Sequence, residues 1–290
     1  RIRHLRWPLL AASVILGFRY FMESTPYERM RELLPFASEI SFSGWVGISL
    51  LLSLVLVRSM KKRISIWLQR NPEHFYARAF VSFMDRERIA VIIFFIIFIR
   101  TGEFMLTSMA APFMVDLGIK VHYGWISGGI GLPCSILGAM LGGWLISRYS
   151  LKKMIWPFLL AQNFTNLIYM GLALHLKNFL SLNTGTTLPT PIGTFNLALV
   201  VGIHGFDQLA GGLGTAVLMT FLMRLCRPSF KAAHYAIGTG LMSVSGLYAG
   251  VLSGFLASWL GYGYFFGCSF LLSIPGMALI PFLPALKRQV

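Results

Sequence analysis

Acidic side chains are scarce in this chain, with 10 Asp and Glu among 290 residues against 25 Lys and Arg. Charged residues make up only 12% and hydrophobic ones 56%, too little polar surface to coat a water-soluble globule of this size. Cysteine is rarer still. Cys134, Cys226 and Cys268 lie far apart, in or beside apolar runs, with no disulfide framework and no metal-ligand spacing, so neither a metal nor a cofactor is expected. What is present is a series of apolar runs of about 20 residues separated by short polar turns, which predicts an all-α, polytopic transmembrane helix bundle.

A net charge of +15 could point to nucleic acid. The basic residues, however, stand in short clusters between apolar runs and not along one solvated face, which argues against that partner. The clusters sort by membrane side instead. If Arg1 is inside, 19 of the 25 Lys and Arg fall on inner segments and four on outer ones, Arg29, Arg31, Lys120 and Lys177. That asymmetry predicts a cytoplasmic C-terminus.

Three regions follow along the chain. Residues 1–57 carry one or two transmembrane segments, at 8–22 and 41–57, joined by a charged connector. The chain starts at Arg1 without a signal-peptide cleavage site after its first apolar run, so it is expected to begin between two spans of a longer protein. Residues 58–88 form a basic linker in which Phe75, Tyr76, Ala79, Phe80, Phe83 and Met84 make an apolar helical stripe, suited to lying on the inner leaflet. Residues 89–286 then hold six spans, at 89–115, 124–146, 154–174, 200–226, 232–259 and 262–283.

The span at 200–226 is the one around which the rest is organised. His204, Asp207, Gly211 and Gly214 recur at i, i+3, i+7 and i+10, so imidazole, acid and bare backbone share one stripe, with Gln208 beside the acid. A carboxyl near the middle of such a helix costs about 2.5–3.5 kcal/mol to insert, which predicts a watered cavity or a partner around it. The span at 89–115 repeats the theme with Arg100, Glu103 and Thr107 on one face. These two helices open successive triplets, and carriers built from three-helix repeats set equivalent helices around a midplane site. The candidate proton-coupling and substrate residues are therefore Arg100, Glu103, Thr107, His204, Asp207 and Gln208. Gly128, Gly138 and Gly142 in one span, Gly211 and Gly214 in another and Gly250 in a third form small-residue seams for close helix packing. Gln162, Asn163 and Asn166 could bond a sugar or another helix.

At these residues the chain resembles a known family. FIRTGEFMLTSMAAPFMVDLG, GAMLGGWLISRYSLKK and FDQLAGGLGTAVLMTFLMRLCRPSFKAAHYA are similar to the second half of the AmpG-type muropeptide permeases of the major facilitator superfamily, over about residues 85 to 285. The resemblance implies the C-terminal six-helix half of a twelve-helix transporter, with a missing N-terminal half. It further implies proton-coupled import of a cell-wall-derived sugar-peptide across a bacterial inner membrane. Arg100, Glu103 and Asp207 stand where the family leads one to expect Lys, Asp and Glu, keeping charge while changing length. The runner-up within this class is a related permease for a siderophore or another peptide or sugar conjugate. A membrane-embedded enzyme would need an interfacial cluster, for which His122 and Asp116 are the only candidates. A receptor or scaffold would not need midplane acids.

Overall fold

The computed structural model describes residues 65–68, 74–185 and 190–286, with Leu16, Tyr20 and Leu52 as single helical positions. Beyond those positions, the spans expected at 8–22 and 41–57, their connector and most of the linker before residue 74 lie outside the described residues. Among the described residues the fold is all helix, with no strand.

The helices are α1 (Phe75–Met84), α2 (Ile89–Phe98), α3 (Thr101–Asp116), α4 (Lys120–Trp125), α5 (Leu132–Tyr149), α6 (Leu151–His175), α7 (Lys177–Asn183), α8 (Gly193–Leu225) and α9 (Lys231–Ala278). Four stretches are long and apolar enough to cross a membrane: Ile89–Asp116, Lys120–Tyr149, Gly193–Leu225 and Pro228–Phe282. The last doubles back at Gly261, where φ is +71°, a conformation that only a residue without Cβ adopts cheaply. Contacts between its limbs and the other helices fix the direction of each pass. Tyr262 donates to Asp116 at the end of α3 (2.7 Å), whereas Arg88 before α2 reaches the carbonyl of Phe282 (3.4 Å). Helix α6, with 25 residues, is about 37 Å long, enough to span. It falls short on apolarity because Gln162, Asn163, Thr165 and Asn166 lie along it, all buried inside the bundle. The chain is a multi-pass membrane protein.

Helix α5 packs along α8, and α3 packs along both limbs of α9. The first pair meets backbone to backbone: a Cβ on Gly212 would stand 2.7 Å from the amide nitrogen of Ala139, and one on Gly142 2.8 Å from the Ala216 Cβ. Gly138 lies against Leu209 in the same way. Gly128, expected in this seam, has nothing within 4 Å, so close approach begins only at Gly131. The seam expected around Gly250 is looser, a Cβ there meeting Ser108 Oγ at an ordinary 3.7 Å.

Two apolar cores fill the bundle. One gathers Ile92–Ile99, Leu151–Leu159, Leu213–Leu225 and Met277 toward the end where the arginines cluster. The other gathers Met105–Leu117, Tyr169–Leu176, Val200 and Phe265–Phe266 toward the opposite end. Helix α1 adds to the first core. Its Ala79, Phe83 and Met84 are buried, and of its apolar stripe only Phe75 and Tyr76 stay largely exposed. The stripe expected to lie on lipid is thus partly docked on protein, because His234 of α9 reaches the Ala79 carbonyl (3.1 Å).

Candidate functional site

Between the two apolar cores lies a belt of polar side chains drawn from α3, α6, α8 and α9. Its position at mid-thickness follows from the chain itself: the stretches Ile89–Asp116, Leu151–His175, Gly193–Leu225 and Lys231–Ala278 each place apolar core residues on both sides of the belt. Buried polar groups at this depth have to find partners inside the protein.

The belt starts where the first span breaks. Arg100, at φ −104° and ψ 6°, separates α2 from α3. The Ile97 carbonyl accepts instead from the hydroxyls of Thr101 (3.1 Å) and Ser245 (2.6 Å). The break aims Arg100 back at its own helix. Its guanidinium binds both carboxylate oxygens of Glu103, Nε to Oε2 at 2.5 Å and Nη2 to Oε1. Nη1 donates to Thr215 of α8 (3.1 Å), and the guanidinium lies 5.1 Å over the Phe104 ring. Gln162 of α6 adds an N–H to Glu103 Oε2. Two glycines make room for this cluster. A Cβ on Gly211 would stand 3.1 Å from Glu103 Oε1, and one on Gly214 would strike the Gln162 amide. Arg100 and Glu103 side chains retain 11% and 15% exposure, so the pair is not sealed.

Asp207 lies on the same face of α8 and is buried. Its partner is the Gln208 amide, donating at 3.4 Å. Thr165, Glu103 and Tyr169 are its further polar neighbours. Among the described residues it forms no ion pair. One turn earlier, His204 Nδ1 pairs with the Tyr169 hydroxyl at 2.9 Å, and its Nε2 is buried without a hydrogen-bond partner. That nitrogen faces Gly131, where an added Cβ would come within 3.0 Å. Gly131 closes a π-helical turn, Ile126–Gly131, just before Pro133, whose missing N–H leaves the backbone free to widen there.

The structure therefore brings together Arg100, Glu103, Asp207, Gln208 and His204 in one belt. Thr107, one turn after Glu103, is exposed. Gln162, read from the sequence as bonding a sugar or another helix, joins the belt, and two further members escaped that reading: Thr215 and Tyr169. A signal for Tyr169 was present, since Gln162, Thr165, Asn166 and Tyr169 fall at i, i+3, i+4 and i+7. Asn163 and Asn166 bond helices instead, the first reaching the Leu159 carbonyl (2.8 Å) and the second accepting from Ser269 (2.7 Å). The interfacial pair His122 and Asp116 is not assembled: His122 accepts from Trp125 (3.1 Å) and Asp116 from Tyr262.

Chemically the two acids differ. Glu103 has a bidentate cation and an amide, which fix it in place. Asp207 has the Gln208 amide at 3.4 Å and the Thr165 hydroxyl beside it but no cation, so it is the acid whose charge depends most on the water that reaches it.

No family model matches the chain. Curated relatives do. Over 246 residues, 82% of this chain and 46% of the relative, it is 24% identical to the anhydromuropeptide permease of Escherichia coli K12. Over 205 residues, 70% of this chain and 45% of the relative, it is 26% identical to putative transporter AmpG 4 of Rickettsia conorii. An uncharacterized protein of Haemophilus influenzae is 24% identical over 252 residues, 84% of this chain and 57% of that protein. The chain spans about half the length of these relatives, and over most of its own length it is AmpG-like. The relatives with functional names are a permease and transporters, not enzymes.

Proposed function

We propose, from the premise of an AmpG-like permease, that this chain forms one half of a proton-coupled carrier. The carrier imports an anhydro-muropeptide or similar sugar-peptide into the cytoplasm of a bacterium across its inner membrane, with the C-terminus of this chain inside. The observation that supports this reading best is the pairing of one compensated acid, Glu103, with one uncompensated acid, Asp207, in a single polar belt between two apolar cores.

In this mechanism Asp207 takes a proton when the belt is open to the outside and loses it when the belt opens inward. Changing hydration is sufficient to shift a carboxyl between these states. Arg100 and Glu103 stay paired and hold α3 against α8 through Thr215. Their charges and the Gln162 amide offer the fixed polar contacts that a peptide carboxylate or amide requires. The glycine-lined approach of α5 to α8 lets the helices slide with little side-chain interlock. The seven residues Arg100, Glu103, Gln162, His204, Asp207, Gln208 and Thr215 carry the work in this reading. The second reading, a siderophore or other conjugate as cargo, rests on the altered side-chain lengths at residues 100, 103 and 207.

The test is uptake of labelled anhydro-muropeptide into vesicles bearing the protein under an imposed pH gradient, acid outside. Accumulation that a protonophore abolishes supports the proposal. Accumulation of a ferric siderophore but not of muropeptide supports the second reading, and no gradient-driven uptake of either rejects both.

A further inference from the structure

At the arginine-rich end of the bundle is a cavity of about 1040 Å³ for which the transport reading has no use. Its polar wall includes Arg86 from the α1–α2 turn, Ser150 and Lys152 around α5–α6, and Arg224 and Arg227 from α8–α9, with Pro284 and Leu286 after α9 closing another side.

Arg86 is the informative residue. One of its terminal nitrogens donates to His234 Nδ1 (2.8 Å), and the guanidinium lies 5.1 Å over the Phe83 ring. Its Nε is buried with no hydrogen-bond partner. Among the described residues no carboxylate pairs with it, and its neighbour is a second guanidinium, Arg227. Burial and that like charge both lower its pKa from the ordinary arginine value. A half-buried cation held beside another is unfavourable unless an anion joins them. His234 sets the geometry. Its Nδ1 accepts from Arg86 and from the backbone N–H of Arg227 (3.2 Å), and its Nε2–H donates to the Ala79 carbonyl. The Arg227 side chain is steadied by Ser82 Oγ (2.9 Å). Asp85 and Glu87 also line the cavity, with Glu87 paired to Arg88 at 3.9 Å.

We propose that this cavity is a phosphate-binding site, in which the oxygens of one phosphate group bridge Arg86 and Arg227, with Lys152 and Ser150 at its wall. Planar guanidinium groups suit the tetrahedral, multiply accepting oxygens of phosphate. The site opens at the level of the membrane surface, so the same chemistry comes from two sources, the headgroup of an anionic lipid or a soluble phosphate. The assignment does not depend on what the bundle carries.

The experiment uses the full chain, purified in detergent, with three probes: phosphatidylglycerol, phosphatidylcholine and inorganic phosphate. Native mass spectrometry and thermal unfolding read binding. The wild type should retain phosphatidylglycerol over phosphatidylcholine, whose choline adds a cation that the basic wall repels. Arg86→Gln and Arg227→Gln should each weaken retention about fivefold, and Lys177→Gln, at the opposite end, should leave it unchanged. Stabilisation by inorganic phosphate that competes with lipid marks a soluble source, and binding of phosphatidylglycerol alone marks a lipid headgroup. Equal retention by wild type and Arg227→Gln, an exposed residue whose replacement spares the core, would overturn the proposal. So would the absence of any effect of phosphatidylglycerol and phosphate on the wild type.

Discussion

Gln162 donates its side-chain N–H from α6 to the carboxylate of Glu103 on α3, and the same amide lies flat against Gly214 of α8. Three helices are joined through one amide, and the joint exists because residue 214 has no side chain. Gly214→Ala is therefore expected to push Gln162 off Glu103. Overpacking of a tight site and the loss of one charge-assisted hydrogen bond together cost about 2–4 kcal/mol. Thermal unfolding in detergent should show that loss, and Gln162→Ala combined with Gly214→Ala should recover part of it by removing the clash.

Arg100 and Glu103 should behave as a unit. Replacing Glu103 with Gln leaves the guanidinium at mid-bundle without a counter-charge, with one amide oxygen, Thr215 and the Phe104 ring as its neighbours, a loss of about 3 kcal/mol or more. Membrane abundance of Glu103→Gln should fall well below that of the wild type. The double substitution Arg100→Met with Glu103→Met should restore abundance without restoring transport, since an apolar pair can replace a buried ion pair in stability only. Immunoblotting and uptake on the same membranes separate the two effects.

Tyr169 is expected to position His204. The ring already has one buried nitrogen without a partner, so Tyr169→Phe leaves it with none on either side. A cost of about 1–3 kcal/mol is expected, with tighter loss of uptake than of folding if the imidazole orientation matters to the adjacent Asp207. Comparing melting temperature with initial uptake rate checks this.

Ser150 holds φ 77° and ψ 150° in the turn between α5 and α6, a region that side chains rarely occupy. Ser150→Gly should stabilise the protein by about 1 kcal/mol. A raised melting temperature in the purified protein is the expected result.

Much of the helical layout was legible in the sequence, because apolar length and basic turns report directly on membrane passage. The acids were legible for the converse reason: a carboxylate in an apolar run is costly and stands out. Amides and hydroxyls do not, since in a helix they bond their own backbone as readily as a neighbour. Asn163 does so with Leu159, and Thr215 does so with Gly211 (2.9 Å) while also receiving Arg100. Thr215 and Tyr169 become site residues, and Gln162 is told apart from Asn163 and Asn166, only once three helices are placed together. The break at Arg100 was hidden as well, because the three hydroxyls near Ile97 that make it tolerable come from residues 101, 245 and 248. The docking of α1 turned on a single distant residue, His234, and its apolar stripe alone fits lipid and protein equally.

The account rests on Asp207 as the group that exchanges the proton, and one variant tests it directly. Asp207→Asn keeps size and hydrogen bonding but cannot ionise. In vesicles bearing that variant, uphill accumulation driven by a pH gradient should be lost, whereas exchange of labelled for unlabelled substrate, with no gradient, should persist. Accumulation at the wild-type level by Asp207→Asn would contradict the account.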